Sequence, residues 1–206
     1  MSKKVKPGSY SAGRKFEGTY INFNELFKGS QYKYVPDPDN DGYGRVYLDH
    51  KLVGETFEQT AFYDNFIRKL LPDAPLSKEL NSRNKDIKSK AKAKLEDVVG
   101  WSNRHFPDGA LYTHEDNKLH IFEVKFQTGT GTTHEKLLAG NGYKFMYEKA
   151  AERINKKDTD IKIEVVYIFI INEYLKNTYP DDFKFLDSVG IKYFVEEYPP
   201  LELFNL

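Results

Sequence analysis

The chain has 206 residues, with 31 basic and 31 acidic side chains, a formal net charge of zero and no cysteine. Without cysteine there is no disulfide scaffold, no thiol nucleophile and no thiolate-ligated zinc or iron–sulfur site. The longest apolar run, 165–171, spans seven residues, too few for a transmembrane helix. The basic N-terminus shows no apolar stretch of the secretory kind. A soluble, cytoplasmic protein without a membrane partner is the expectation.

Charge is unevenly placed. Residues 1–15 hold five basic side chains and no acid, and residues 78–94 hold seven against two acids. From Asn172 onward there are seven acids and three lysines. The zero total is thus a sum of basic segments and an acidic C-terminal region, and the basic segments are candidate phosphate contacts.

In chain order, the first 50 residues read as turns and short strands. Asp37, Asp39, Asp41 and Gly42 match the opening of a calcium-binding loop, but the twelfth position, a Glu in such loops, is Leu48. A Pro/Asp/Gly turn before a strand at 45–48 is the better reading. Residues 56–71 show helical spacing in Phe57, Ala61, Phe62, Phe66 and Leu70, with Thr56 as N-cap. A polar helix is expected over 76–106, with Ile87, Leu95, Val98, Val99 and Trp101 in its apolar stripe. Then follow a short strand at 110–113, a turn at 114–117 and a strand at 119–127. A Gly/Thr loop at 128–133 leads into a helix over 134–155. The near-continuous apolar run over 161–171 reads as a strand covered on both faces. A short helix (181–188) and a strand (191–195) close the chain. This order predicts an α/β fold with a central mixed β-sheet flanked by helices, in a single domain spanning 1–206.

The strand at 119–127 carries the chemistry. With period-two alternation, His120, Phe122, Val124 and Phe126 share one face, and Leu119, Ile121, Glu123, Lys125 and Gln127 share the other. An acid, a base and an amide interrupt an apolar face, and such interruptions mark functional sites. Fourteen residues separate Asp108 from Glu123. A strand, a turn and a return strand would bring the two carboxylates together. Two carboxylates with room for water suit Mg²⁺, with the Val124 carbonyl as a further ligand. Lys125 would hold water and neutralise charge on phosphate.

Pro107-Asp108 followed by Glu123-Val124-Lys125 resembles the PD-(D/E)xK nuclease superfamily over about 56–171, leaving an N-terminal arm (1–55) and a C-terminal extension (172–206). With Gln127 and the stretch from Gly131 to Lys136, the chain looks like the EcoRI/MunI branch of type II restriction endonucleases. In that branch an E-x-K-x-Q strand precedes a Gly-Asn-Ala-x-Glu-Arg stretch at the start of the DNA-reading helix. Gly131, Glu135 and Lys136 match its Gly, Glu and Arg, whereas Thr132 and Thr133 replace Asn and Ala. Lysine lacks the planar fork of arginine, so the recognition sequence is not carried over.

The resemblance implies a restriction-endonuclease-like core, a Mg²⁺ cofactor, double-stranded DNA as substrate, and a homodimer cutting a palindromic site to leave 5′ overhangs. It implies Asp108, Glu123, Lys125 and Gln127 as catalytic residues. Thr132, Thr133, His134, Glu135, Lys136 and Asn141 are the expected DNA-reading residues. Glu135 can accept from cytosine N4 or adenine N6, and Lys136 can donate to guanine. Helix capping by Thr132 or Thr133 is the alternative for that stretch. Glu58 and Glu96 are candidate supporting acids, each more readily read as a solvated helix residue. A structure-selective repair nuclease and a non-catalytic DNA-binding module are the competing functions.

Overall fold

The computed structural model describes residues 7–103, 105–129, 131–158 and 160–206, with side chains from Ser11 onward. The chain opens with α1 (Pro7–Tyr20) and α2 (Phe23–Leu26), then β1 (Lys33–Pro36), β2 (Tyr43–Leu48) and β3 (Lys51–Phe57). The 14-residue α1 corrects the expectation of turns and short strands over the first 50 residues. Its support is tertiary. Phe16 packs on Phe126 with ring centroids 5.1 Å apart, and Tyr20 packs on Tyr198 at 5.4 Å. The Asp-rich segment is a turn, as expected. Asp37 accepts the Asp39 N–H and pairs with Arg45 at 3.2 Å, so its carboxylate is used within the turn.

β3 runs through Phe57, which corrects the placement of Thr56 as a helix cap. The helix starts after Glu58 and comprises α3 (Gln59–Phe62), a π-helical turn (Tyr63–Ile67) and α4 (Arg68–Leu70). The π turn buries Tyr63, Phe66 and Ile67 together. The helix expected over 76–106 is divided into α5 (Ser77–Leu80) and α6 (Lys85–Val99). Asn84 caps α6 by accepting the Asp86 and Ile87 N–H groups, and Gly100 ends it at φ +84°. Its buried face is Ala91, Leu95 and Val99, whereas Ile87 is exposed.

β4 (Gly109–Thr113) and β5 (Lys118–Lys125) follow, then α7 (Thr133–Leu138), α8 (Gly140–Lys157) and β6 (Glu164–Ile171). The single helix expected over 134–155 is two. At the start of α8, a Cβ on Gly140 would lie 2.6 Å from the Phe169 ring, so glycine permits α8 to begin against β6. The chain closes with α9 (Glu173–Thr178), which the sequence pattern did not suggest, α10 (Pro180–Ser188), β7 (Lys192–Val195) and a 3₁₀ turn (Leu201–Phe204).

The seven strands form one sheet in the order β1-β2-β3-β4-β5-β6-β7. β1 to β5 pair antiparallel, and β5-β6 and β6-β7 pair parallel. The expected α/β architecture with a mixed sheet is present. The larger core cluster joins Ile121, Tyr167 and Phe169 to Leu95, Tyr147 and Phe183 of the helices and to Trp101 of the loop after α6. A smaller one joins Leu111, Phe122 and Ile168 to Phe23, Phe27 and Phe204. β6 contributes to both clusters, which accounts for its unbroken apolar run.

His120 projects into the smaller core. It is 0% exposed, stands edge-on to Phe204 at 4.9 Å, and neither ring nitrogen has a partner among the described residues. Burial pushes its pKa down to about 4, with Asp116 opposing and Lys118 adding to the shift. The unfolded chain therefore binds the proton more readily, and the native state loses stability as pH falls from 6.5 through 4. The expected loss is roughly 3 kcal/mol across that window. His120→Leu should flatten this part of the curve when urea midpoints are compared at pH 7 and pH 4.5. An unchanged slope in the variant would assign the acid sensitivity to other groups.

Candidate active site

The β4–β5 hairpin sets the site. Gly109 pairs with Phe122, and Thr113 pairs with Lys118 across the turn. The turn is held by Asp116, which accepts from the Thr113 hydroxyl and the Lys118 N–H, and by Asn117 at φ +53°. Carried one residue beyond Gly109, the same register sets Asp108 beside Glu123.

Asp108 Oδ2 accepts the Val124 N–H at 2.7 Å. The Lys125 ammonium donates to that same oxygen at 3.3 Å, to Glu123 Oε2 at 2.6 Å and to the Val124 carbonyl at 3.1 Å. Three oxygens from consecutive stations of the hairpin thus converge on one cation. The other Glu123 oxygen, Oε1, lies 3.0 Å from His105 Nε2. The His105 ring stacks on Tyr143 at 4.0 Å and 9°.

Glu123 is only 3% exposed. Burial alone would raise its pKa, but the bond from His105 and the charge of Lys125 outweigh burial and hold it below the ordinary value. Asp108 goes the other way. Burial pushes it up to about 6, with Lys125 lowering it only in part and the neighbouring Glu123 charge adding to the rise. For Lys125, burial is outweighed by the two carboxylates, and its pKa is raised. The cluster therefore holds Glu123 and Lys125 in their charged forms.

These donors fit a hard divalent cation. Two carboxylates and a carbonyl leave the remaining positions to water and phosphate, the arrangement Mg²⁺ favours. Among the described residues no group of three or more His, Asp or Glu side chains forms a cage.

Gln127 has a different place from that expected. β5 ends at Lys125, and the Gln127 amide bonds to the Gly129 carbonyl at 2.6 Å and to the Tyr179 hydroxyl at 3.2 Å. Its oxygen accepts the Thr133 N–H at 3.1 Å. Gln127 thereby ties the 128–133 loop to the start of α7. Thr132 makes no side-chain cap there, and Thr133 is already helical, so the alternative of a threonine cap does not hold and Gln127 takes the Thr133 N–H instead. Two helix-start N–H groups are used within the chain, that of Thr133 by Gln127 and that of Glu135 by the Thr132 carbonyl. His134 stacks on Tyr179 at 4.3 Å and 13°. Glu135, Lys136 and Asn141 are exposed, and none of them makes a side-chain hydrogen bond or ion pair among the described residues.

Of the two candidate supporting acids, Glu58 lines a cavity of about 770 Å³ together with Asp108, Glu17, Arg14 and Tyr34. Burial, with the Asp41 charge, raises its pKa. Glu96 lies elsewhere, lining a cavity with Lys149, Arg153 and Lys156, and the fold does not bring it to Asp108. Sequence reasoning gave no role to Glu17, which arrives with Arg14 on the unexpected α1, or to the His105–Tyr143 pair. A ring in the 100–108 loop and a tyrosine on α8 share no local pattern that could have signalled their contact. The basic stretch lies along α6, where Lys85, Lys88, Lys90, Lys92 and Lys94 are exposed and make no ion pair among the described residues. No described helix is long and apolar enough to cross a membrane. No protein-family profile, curated protein or solved structure matches the chain.

Proposed function

We propose that the chain is a Mg²⁺-dependent endonuclease of the type II restriction kind, hydrolysing phosphodiester bonds in double-stranded DNA at a short site as a homodimer. The observation that carries this reading is the convergence of Asp108, Glu123 and the Val124 carbonyl on one cation position, with the Lys125 ammonium already there. Asp108, Glu123 and Val124 would hold the metal, which when bound polarises the phosphate and lowers the pKa of water. Lys125 is the group that meets charge developing on the phosphate oxygens, being a donor held in a largely buried, low-dielectric site. The Val124 N–H holds the Asp108 carboxylate oriented. The exposed lysines of α6 would contact phosphates without specifying sequence.

Digestion of one sequenced plasmid with Mg²⁺, followed by mapping of the ends, tests this reading. Discrete fragments with 5′ overhangs at one repeated sequence are expected. Cutting confined to flaps or junctions would move the reading to a structure-selective nuclease. Binding without cutting would leave a DNA-binding module.

Glu135 and Lys136 are the base-reading residues in this reading. Both are solvent-facing and uncommitted to any ion pair among the described residues. Glu135→Ala should reduce discrimination by about 1–3 kcal/mol per contacted base, measured as the ratio of cleavage rates at cognate and one-base-altered sites. Its melting temperature should stay near that of the parent chain, and a collapse would make Glu135 part of the helix start instead.

A further inference from the structure

We propose that His105, stacked on Tyr143, is a positioning residue that fixes the Glu123 carboxylate for cation binding. This rests on the nuclease reading of the same site. The two oxygens of Glu123 serve different partners, Oε1 facing His105 at 3.0 Å and Oε2 facing Lys125 at 2.6 Å. The Oε2 contact is the one a divalent cation must share or displace. The Oε1 contact lies on the far side of the carboxylate and is unaffected by that exchange. Terminal carboxylate torsions have broad wells, so a single anchored oxygen decides where the other points. With His105 present, Oε2 alone faces the position that Asp108 Oδ2 also faces, now held by the Lys125 ammonium. Without it, the carboxylate is free to turn both oxygens toward the Lys125 ammonium, the arrangement a cation would have to break.

The His105 ring is itself held from two sides. Its loop begins at Trp101, which is fully buried and donates Nε1–H to the Met146 carbonyl of α8 at 2.8 Å. Its face lies on Tyr143, also on α8, nearly parallel at 4.0 Å. The loop and α8 thus grip the imidazole with one nitrogen toward Glu123. Partners that orient a ligating carboxylate in this way contribute about 10- to 100-fold in metal affinity.

The test is Mn²⁺ binding to the full chain by titration calorimetry, with Glu123→Gln to confirm that binding occurs at this site. His105→Leu fills the space but cannot donate, whereas His105→Gln keeps an N–H that reaches the carboxylate. His105→Leu should weaken Mn²⁺ binding about 10- to 100-fold with the melting temperature preserved, and His105→Gln should recover much of that loss. Tyr143→Phe, which keeps the stack, should bind as the parent does. Equal affinity in the Leu and Gln variants would overturn the positioning role while leaving the cation site standing. Absence of saturable Mn²⁺ binding in the parent chain would overturn the cation reading and this proposal together.

Discussion

Lys125→Ala should lower the rate of DNA cleavage by about 10³-fold or more, with sequence-specific binding still measurable by gel shift in Ca²⁺. The same change should lower stability in chelator. The ammonium is the shared donor for Asp108 Oδ2 and Glu123 Oε2, and its removal leaves two largely buried carboxylates without their common counter-charge. Removing one partner of a buried ion pair costs about 3–5 kcal/mol. A divalent cation would supply the missing positive charge, and ligand binding to the native state alone raises stability by mass action. Mg²⁺ should therefore raise the melting temperature of Lys125→Ala by more than it raises that of the parent. Lys125→Met, which keeps the length of the stem, separates loss of charge from loss of packing. Undiminished cleavage in either variant would remove Lys125 from the mechanism. A metal response equal to the parent's would show that the cation and the ammonium do not share a position.

Trp101→Ala should destabilise the fold by about 3–5 kcal/mol, read from urea midpoints at constant slope. Trp101 is fully buried, meets Tyr147 edge-on at 5.6 Å, and packs on Tyr63 at 6.1 Å. Its truncation also removes the Nε1–H bond to the Met146 carbonyl, worth about 0.5–1.5 kcal/mol, because that carbonyl keeps its place in the α8 ladder. Trp101→Phe keeps part of the packing but loses the donor, so it should fall between parent and alanine variant. The consequence reaches the active site because Trp101 opens the loop that carries His105 and ends at Asp108. Activity should fall in Trp101→Phe at temperatures where the fold is intact. A loss below 1 kcal/mol for the alanine variant would mean that the neighbouring rings close over the space.

The parts of the fold legible in the sequence are those whose pattern is local. β5 was read from its alternation, β6 from its apolar run, and the hairpin from a turn-forming tetrad between two strands. The pairing of Asp108 with Glu123 followed from these, and so did Lys125, two residues along the same face. The illegible parts depend on partners distant in the chain. α1 carries Gly13 and Gly18 and only a thin apolar stripe, and it rests on Phe126 and Tyr198. At 56–71 a helical spacing beginning at Phe57 was misleading, because Phe57 is the inward-facing end of a strand and the helix starts only at Gln59. Gly100 ends α6 well before Phe106, and Trp101, taken for part of the helix stripe, is a loop anchor. Gln127 was expected among the carboxylates from its place two residues after Lys125. It leaves that alternation because β5 has already ended, and its amide joins the loop.

The hairpin also explains the length of the gap between the two acids. Five residues of β4, four of the turn and five of the facing part of β5 make up the fourteen between Asp108 and Glu123. The carboxylates are level with each other because each strand residue on one side is matched by one on the other. A single insertion in either strand would slide Glu123 past Asp108 and, with a period of two, turn a side chain to the opposite face. Lengthening that keeps both the turn and the site must add equally to the two strands. In any diverged copy that keeps this four-residue turn, the spacing between the acids would remain an even number, a parity rule set by strand pairing and not by the chemistry of the acids.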